Sequence, residues 1–391
     1  MKKLKVITVF GTRPEAVKMA PLVKELTRQE KIESYVCVTA QHRQMLDQVL
    51  KMFDIAPDFD LDIMKARQTL TEITTRALAG LSKVFEENKP DIVLVHGDTT
   101  TTFAGSLAAF YRKIKVGHVE AGLRTFNKYF PYPEEMNRKL TGTLADLHFA
   151  PTISNKQNLI KEGVDGSHIY VTGNTVIDAL NTTVRKDYAF ENSILGGINY
   201  SHKRVITITA HRRENLGEPL KNICEALKCV ADKYPDIEIV YPVHLNPTVQ
   251  ETVQSILGAH SRVHLVEPLG VQDMHNLMDR SYIILTDSGG LQEEAPALGK
   301  PVLVLRNETE RPEAVKAGTV RIAGTKKEGI ISLTSRLLDN TEDYESMAKA
   351  VNPYGDGKAS RRIVQALLYE FGLRREKPEE FMSGGQETAQ Q

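Results

Sequence analysis

The sequence predicts an α/β protein made of two doubly wound, Rossmann-like domains, and three observations lead there. The chain has 391 residues, more than one typical hydrophobic core accommodates, and at roughly 150 residues per domain two units are the simplest division. Short β-branched runs recur through both halves, and they are continuously apolar rather than alternating, as in parallel strands buried on both faces. Each run is followed by a longer stretch of helical periodicity, the alternation that builds a parallel sheet covered by helices.

Taken in order, the strand-like runs of the first half are KVITVF, SYVCVTA, DIVLVHGD, IKVGHVEA and LHFAPT, and those of the second are RVITITA, IEIVYPVH, RVHLVEP, YIILTDS and PVLVLRN. The opening MKKLKVITVF has the basic start and apolar stretch of a secretion signal. Lys5 interrupts it and Gly11, Arg13 and Glu15 end it, so it reads as the first strand. Residues 185–203 are polar, contain glycine and lack sustained periodicity, which places the boundary between 173 and 203. The expected division is a first domain over 1–172 and a second over 173–358. After Pro353-Tyr354-Gly355-Asp356-Gly357, residues 359–372 read as a final helix. The polar stretch 375–391 has no apolar anchors and reads as a mobile tail.

Composition narrows the partners. Lys plus Arg and Asp plus Glu each number 50, so no global field steers the chain toward nucleic acid or a membrane surface, and neither is expected as a partner. Nothing approaches the ~18 consecutive apolar residues of a membrane span. Cys37, Cys224 and Cys229 are odd in number, and the last two lack a zinc spacing. Reduced thiols and a cytoplasmic location follow.

In an open parallel sheet, ligands bind beyond the carboxyl ends of the strands. The residues there are polar: Gly11-Thr12-Arg13-Pro14-Glu15, His96-Gly97-Asp98, His118-Val119-Glu120, His211-Arg212-Arg213, His244, Asp287-Ser288-Gly289-Gly290 and Glu310-Arg311. The segment TDSGGLQEEA sets a small hydroxyl and two glycines between a strand and a helix, where backbone N–H groups and the helix dipole receive phosphate. Arg13, Lys18 and Arg311 supply the positive charge a pyrophosphate needs. Glu294, one turn into that helix, suits ribose hydroxyls, whereas its neighbour Glu293 reads as a solvated helix-face residue.

Neither G-x-G-x-x-G nor G-x-x-x-x-G-K-[ST] occurs, so nicotinamide redox chemistry and P-loop phosphoryl transfer lose support and no cofactor is expected. Asp98 and Glu120 end separate strands, and Glu134 opens a helix after Pro133. Several carboxylates around one carbon suit proton removal on one face and return on the other. The alternatives are an ordinary helix-face ion pair between Glu134 and Arg138 and a metal site of His96, Asp98, His118 and Glu120. No metal-binding spacing supports the latter, and no metal is expected.

The strings GTRPEAVKMAPL, HGDTTTT, HVEAGLRT, PEEMNR, GNTVID, HRREN, TDSGGLQEEAPALGKPVLVLR and TERPEA closely resemble, in content and order, the signature segments of the non-hydrolysing UDP-N-acetylglucosamine 2-epimerases. The resemblance covers residues 10 to about 315. It implies a glycosyltransferase-B-type fold with the active site in the interdomain cleft, and a last helix, about 359–374, that rejoins the first domain. It implies conversion of UDP-N-acetylglucosamine to UDP-N-acetylmannosamine through a 2-acetamidoglucal, a precursor step for cell-envelope polysaccharide. Asp98, Glu120 and Glu134 would be the acid/base set and His211 would stand beside the leaving diphosphate. Arg13, Lys18, Arg138, Ser288, Gly289, Gly290, Glu294 and Arg311 would hold UDP and the sugar, with Met274 near the uracil where the family often has an aromatic ring. It also implies a homodimer and activation by a second UDP-N-acetylglucosamine at Gln41, His42, Gln44, Arg67, Arg212 and His244. A hydrolysing relative and a glycosyltransferase of the same fold are the competing readings.

Overall fold

The structure is a computed structural model that describes residues 2–40, 43–65 and 67–383. The chain divides into two compact units. One runs to Thr182 and resumes at Tyr354; the other is Thr183–Pro353.

The first unit is built on a seven-stranded sheet of β1 (Leu4–Phe10), β2 (Ile32–Val38), β3 (Phe59–Asp60), β4 (Ile92–His96), β5 (Lys115–Val119), β6 (Leu147–Ala150) and β7 (Ile169–Val171), in the order β3-β2-β1-β4-β5-β6-β7. The second has a six-stranded sheet of β8 (Arg204–Thr209), β9 (Ile237–Pro242), β10 (Val263–Val266), β11 (Ile283–Thr286), β12 (Val302–Val304) and β13 (Val320–Ile322), in the order β10-β9-β8-β11-β12-β13. The pairings in both are parallel. Strand order reverses at β1/β4 in one sheet and at β8/β11 in the other, so the carboxyl ends of those strands are the switch points where a doubly wound sheet binds ligands.

Helices on both faces explain the apolar strands. Ile7, Val9, Val93 and Val95 pack against Ala77, Leu81 and Phe85 of the Leu70–Asn88 helix and Ala104 and Ala108 of the Thr100–Tyr111 helix. Thr99 caps the latter by accepting the Thr102 N–H at 3.1 Å. Small residues let this helix lie close on the sheet: a Cβ on Gly105 would stand 3.3 Å from Val95. In the second unit Ile206, Ile239, Leu285 and Leu303 meet Leu220, Ile223, Leu227 and Val230, which recur on one face of the Glu218–Lys233 helix. Burying each such side chain contributes about 1.5–3 kcal/mol against its ordering entropy.

The structure departs from the expected organisation in three places. Strands β3, β7 and β13 have two or three residues each and, unlike the equally short β12 within PVLVL, are not carried by a longer apolar run, so the sequence does not mark them. The unit boundary falls at Thr183 rather than 173, since Asp178 of the Thr175–Thr183 helix accepts the Ala359 and Ser360 N–H groups at 3.1 and 2.7 Å and binds that helix to the chain's last one. The Ala359–Glu370 helix packs on the Arg13–Thr27 helix of the first unit. Within the stretch expected as a mobile tail, Phe381 is buried, its N–H donates to the Val171 carbonyl at 2.8 Å, and Glu380 pairs with Lys156 at 2.8 Å. A lone aromatic thus anchors a segment whose composition reads as loose. Residues 384–391 of that stretch lie outside the described residues.

Gly122 has φ +91° and a Cβ there would run into the Asn155 carbonyl; Gly163 has φ +88° with open space around it. Gly163→Ala is expected to cost about 1–2 kcal/mol from backbone strain alone, and Gly122→Ala distinctly more. Thermal melts of the two variants check this, and equal losses would contradict the role of the Asn155 contact.

Candidate active site

At the first switch point a buried carboxylate organises the turn after β1. Glu15, in the first turn of the Arg13–Thr27 helix, accepts the Gly11 and Thr12 N–H groups at 3.0 and 2.8 Å and the Thr12, Thr99 and Thr102 hydroxyls at 2.8, 2.7 and 3.2 Å. Burial pushes its pKa up, and the hydroxyl and backbone donors oppose the shift by favouring the ionised form. The end of β1, the first helix and the start of the Thr100–Tyr111 helix are thereby one frame. Sequence reasoning passed over Glu15, though Thr12-x-x-Glu15 is a capping box and was legible as one.

Asp98 and Glu120 follow the neighbouring strands β4 and β5, in whose register His96 lies opposite Val119. Gly97 and Glu120 both have left-handed backbones, φ +67° and +62°. For a non-glycine residue this costs of order 1–3 kcal/mol. Glu120 Oε2 pairs with Lys18 Nζ and accepts Asn174 Nδ2 at 2.9 Å, with His96 Nε2 3.7 Å away. Asp98 pairs with Arg138, which also reaches Glu135 at 3.1 Å, and Asn137 Nδ2 donates to the Asp98 carbonyl at 3.0 Å. Buried Glu135 in turn accepts the Thr125 and Phe126 N–H groups at 3.1 and 3.0 Å. Glu134 is half-buried at the start of the Glu134–Leu144 helix. Arg138 is engaged by Asp98 and Glu135 rather than by Glu134, so the simple helix-face pair is not what the fold builds. Arg13 opens its helix half-buried, and burial lowers its pKa.

At the second switch point Asp287, fully buried just beyond β11, plays the part that Glu15 plays in the first unit. Its Oδ2 accepts the His211 and Arg212 N–H groups at 2.7 and 2.8 Å and Asn215 Nδ2 at 2.9 Å, while Oδ1 lies 3.3 Å from His211 Nδ1. The carboxylate thus fixes the backbone at His211, and the His211 imidazole stacks on His244 with centroids 5.4 Å apart and planes 8° apart. The Gly289–Ala297 helix starts after Ser288, whose N–H donates to Thr286 Oγ1 at 2.9 Å. A Cβ on Gly289 would lie 3.7 Å from Arg311 Nη2, so that guanidinium sits beside the helix N-terminus. Glu294 comes within 3.2 Å of a Cβ on Gly290 and pairs with buried His275 at 3.2 Å. Met274, the residue before His275, is half-buried on the Val271–Arg280 helix. Glu293, expected to be solvated, is 3% exposed and pairs with Arg311 Nε. Helical periodicity locates a face but not what covers it, and Arg311 arrives from a later connection.

Of the expected activator set, Gln41, His42 and the side chain of Gln44 lie outside the described residues. Arg67 is exposed with φ +56°, and Arg212 pairs with Glu310 at 2.8 Å. Among the described residues no group of three or more His, Cys, Asp or Glu side chains is arranged to hold a metal ion, and His118 Nε2 bonds the Gly97 carbonyl at 2.7 Å. No described helix is long and apolar enough to cross a membrane.

The sequence matches the family model described as UDP-N-acetylglucosamine 2-epimerase over residues 24–368. It is 61% identical to the UDP-N-acetylglucosamine 2-epimerase of Bacillus subtilis over 381 residues, covering 97% of this chain and 99% of that one. Its structure is similar to a crystal structure of UDP-N-acetylglucosamine 2-epimerase, with TM-score 0.91, 59% identity and coverage of 98% and 100% of the two chains. It is also similar to the UDP-GlcNAc 2-epimerase of Neisseria meningitidis bound to UDP-GlcNAc, with TM-score 0.83, 54% identity and coverage of 93% and 100%. The chain belongs to the UDP-N-acetylglucosamine 2-epimerase family, and its two parallel-sheet α/β domains are of the glycosyltransferase-B type.

Burial pushes His96 and His148 down to about 4 and His118 to about 3. An unfolded histidine titrates near 6.5, so below that pH the unfolded chain binds more protons than the folded one, and stability falls as pH drops toward the folded values. Each buried histidine is expected to withdraw about 2 kcal/mol by pH 5. Melting from pH 7.5 to 5 checks this: His118→Gln should flatten the decline, and an unchanged slope would count against a neutral, buried imidazole.

Proposed function

We propose that this member of the family interconverts UDP-N-acetylglucosamine and UDP-N-acetylmannosamine without hydrolysis, by eliminating UDP to a 2-acetamidoglucal and adding it back. The observation that carries the reading is Asp98 and Glu120 at neighbouring strand ends, each with its own cation, in a chain of this family. The solved relative bound to UDP-GlcNAc supports the choice of substrate.

Carbon 2 of the sugar has no adjacent carbonyl, so its hydrogen is not acidic enough for simple exchange. Removal must be coupled to departure of the group on carbon 1: a base takes the C2 proton, the C2–H electron pair forms the C1=C2 bond, and UDP leaves with the C1–O pair. Re-addition of UDP to carbon 1, with a proton delivered to the other face of carbon 2, completes the inversion. The two faces require separate proton-handling groups, which are Asp98, Glu120 and Glu134 in this reading. Arg138 holds Asp98 in place.

The second unit serves the nucleotide. The helix N-terminus at Ser288-Gly289-Gly290 and the adjacent Arg311 stabilise the diphosphate, assisted by Arg13 and Lys18. His211, whose backbone is held by Asp287, donates to the leaving oxygen. Glu294 takes the ribose hydroxyls and Met274 packs near the base. Stacking of His244 on His211 supports an activator role for a second UDP-N-acetylglucosamine near Arg212 and His244, since it ties that set to a catalytic imidazole. The three unbridged cysteines support action in the cytoplasm, and a homodimer belongs to the same proposal.

Proton NMR of the protein with UDP-N-acetylglucosamine in heavy water tests the reaction. Deuterium at carbon 2 together with UDP-N-acetylmannosamine is expected without added cofactor; accumulation of free N-acetylmannosamine and UDP would establish the hydrolysing alternative. Asp98→Asn and Glu120→Gln should each lower kcat by about 10²–10⁴-fold while UDP affinity stays within roughly tenfold, and parallel loss of binding would contradict their roles. Arg311→Glu is expected to weaken UDP binding by about tenfold or more, and calorimetry showing unchanged affinity would remove it from the site.

A further inference from the structure

In the second unit the Val271–Arg280 helix buries three polar side chains, Asp273, His275 and Asn276, and all three bind the stretch of chain with which that unit begins. Asp273 accepts the Tyr188 hydroxyl and the Glu191 and Asn192 N–H groups at 2.9, 3.1 and 3.2 Å. Asn276 accepts the Arg185 N–H at 2.9 Å and donates to the Thr183 carbonyl at 2.8 Å. His275 bonds the same Thr183 through its hydroxyl, with Nδ1 2.7 Å from Oγ1. Its other ring nitrogen turns away from the connection: Nε2 stands 3.2 Å from Glu294 Oε2 on the Gly289–Ala297 helix. The Thr183 contact fixes the plane of the ring, so Nε2 meets the carboxylate from one direction.

The two oxygens of Glu294 are differently placed. A Cβ on Gly290 would lie 3.2 Å from Oε1, so the carboxylate folds back over the first turn of its own helix, where a side chain at 290 would crowd it. Oε2 faces the imidazole.

We infer that His275 is a positioning residue for nucleotide recognition: pinned by Thr183, it holds the Glu294 carboxylate in the orientation that receives the ribose hydroxyls. The inference rests on the reading of Glu294 given above and deepens it. Without the imidazole the ligand itself would have to order the carboxylate, at a cost in side-chain entropy that a residue set in advance has already met on folding. His275 acts through Glu294 alone, so its effect is confined to the ribose and vanishes for a nucleotide that lacks those hydroxyls.

Calorimetric titration of the full chain with UDP and with its 2′,3′-dideoxy analogue tests this. The wild type should prefer UDP by about tenfold or more. His275→Phe keeps a ring and removes both nitrogens; it should bind UDP about tenfold more weakly and the dideoxy analogue within about twofold of the wild type. His275→Gln, whose amide still offers a donor to Glu294, should restore most of the preference. In turnover His275→Phe should raise KM about tenfold with kcat within about threefold, as loss of uniform binding does. Equal weakening toward both nucleotides, or a preference for UDP left intact, would overturn the inference. Should His275→Phe fail to fold, Thr183→Val, which removes only the hydroxyl that pins the ring, should lower the preference about threefold, and an unchanged preference would overturn the inference equally. A wild type that does not distinguish the two nucleotides would instead remove Glu294 from the ribose, and with it the reading on which the role of His275 rests.

Discussion

The candidate residues of each unit depend on one constraint: a carboxylate buried at the carboxyl end of a parallel sheet must be surrounded by donors. Glu15 and Asp287 are those carboxylates, and each collects backbone N–H groups from the turn that follows the first strand of its unit. An ionised group without partners in such a place would cost several kcal/mol. The turn therefore adopts the one shape that aims its N–H groups inward. Arg13 emerges from one such turn and His211 from the other, and the direction of each is set by a residue that never needs to touch substrate.

The same logic explains the second layer of acidic residues. Glu135 and Glu293 are each the neighbour of a carboxylate assigned to chemistry or recognition, and each is buried against an arginine, Arg138 and Arg311 respectively. A guanidinium with five donors can bond a structural carboxylate with one edge and present another. Fixing an arginine in advance spares the ordering entropy its long side chain would otherwise lose on meeting an anion.

The doubly wound class was legible because burial on both faces forces continuous apolar runs such as IVLV of β4. The positions of Asp98, Glu120, His211, Ser288 and Arg311 at strand ends followed from the rule that the carboxyl edge of such a sheet is its functional edge. Short strands β3, β7 and β13, unlike β12, lie within no longer apolar run and did not register, and Glu293 was misjudged because helical spacing says nothing of a partner eighteen residues on. The anchoring of Phe381 was equally invisible, as one aromatic in a polar stretch leaves no compositional trace.

By itself the sequence determined the fold class, the strand edges where the candidate residues lie and the family, since these follow from hydrophobic periodicity and from ordered motif strings, both of which are local in the chain. Tertiary structure decided which charge meets which. Lys18 on Glu120, Arg138 on Asp98, Asp287 under His211 and Arg311 on Glu293 join residues from separate elements. Such pairings are set by strand register and helix packing, and a Coulomb interaction depends on distance in space rather than on separation along the chain.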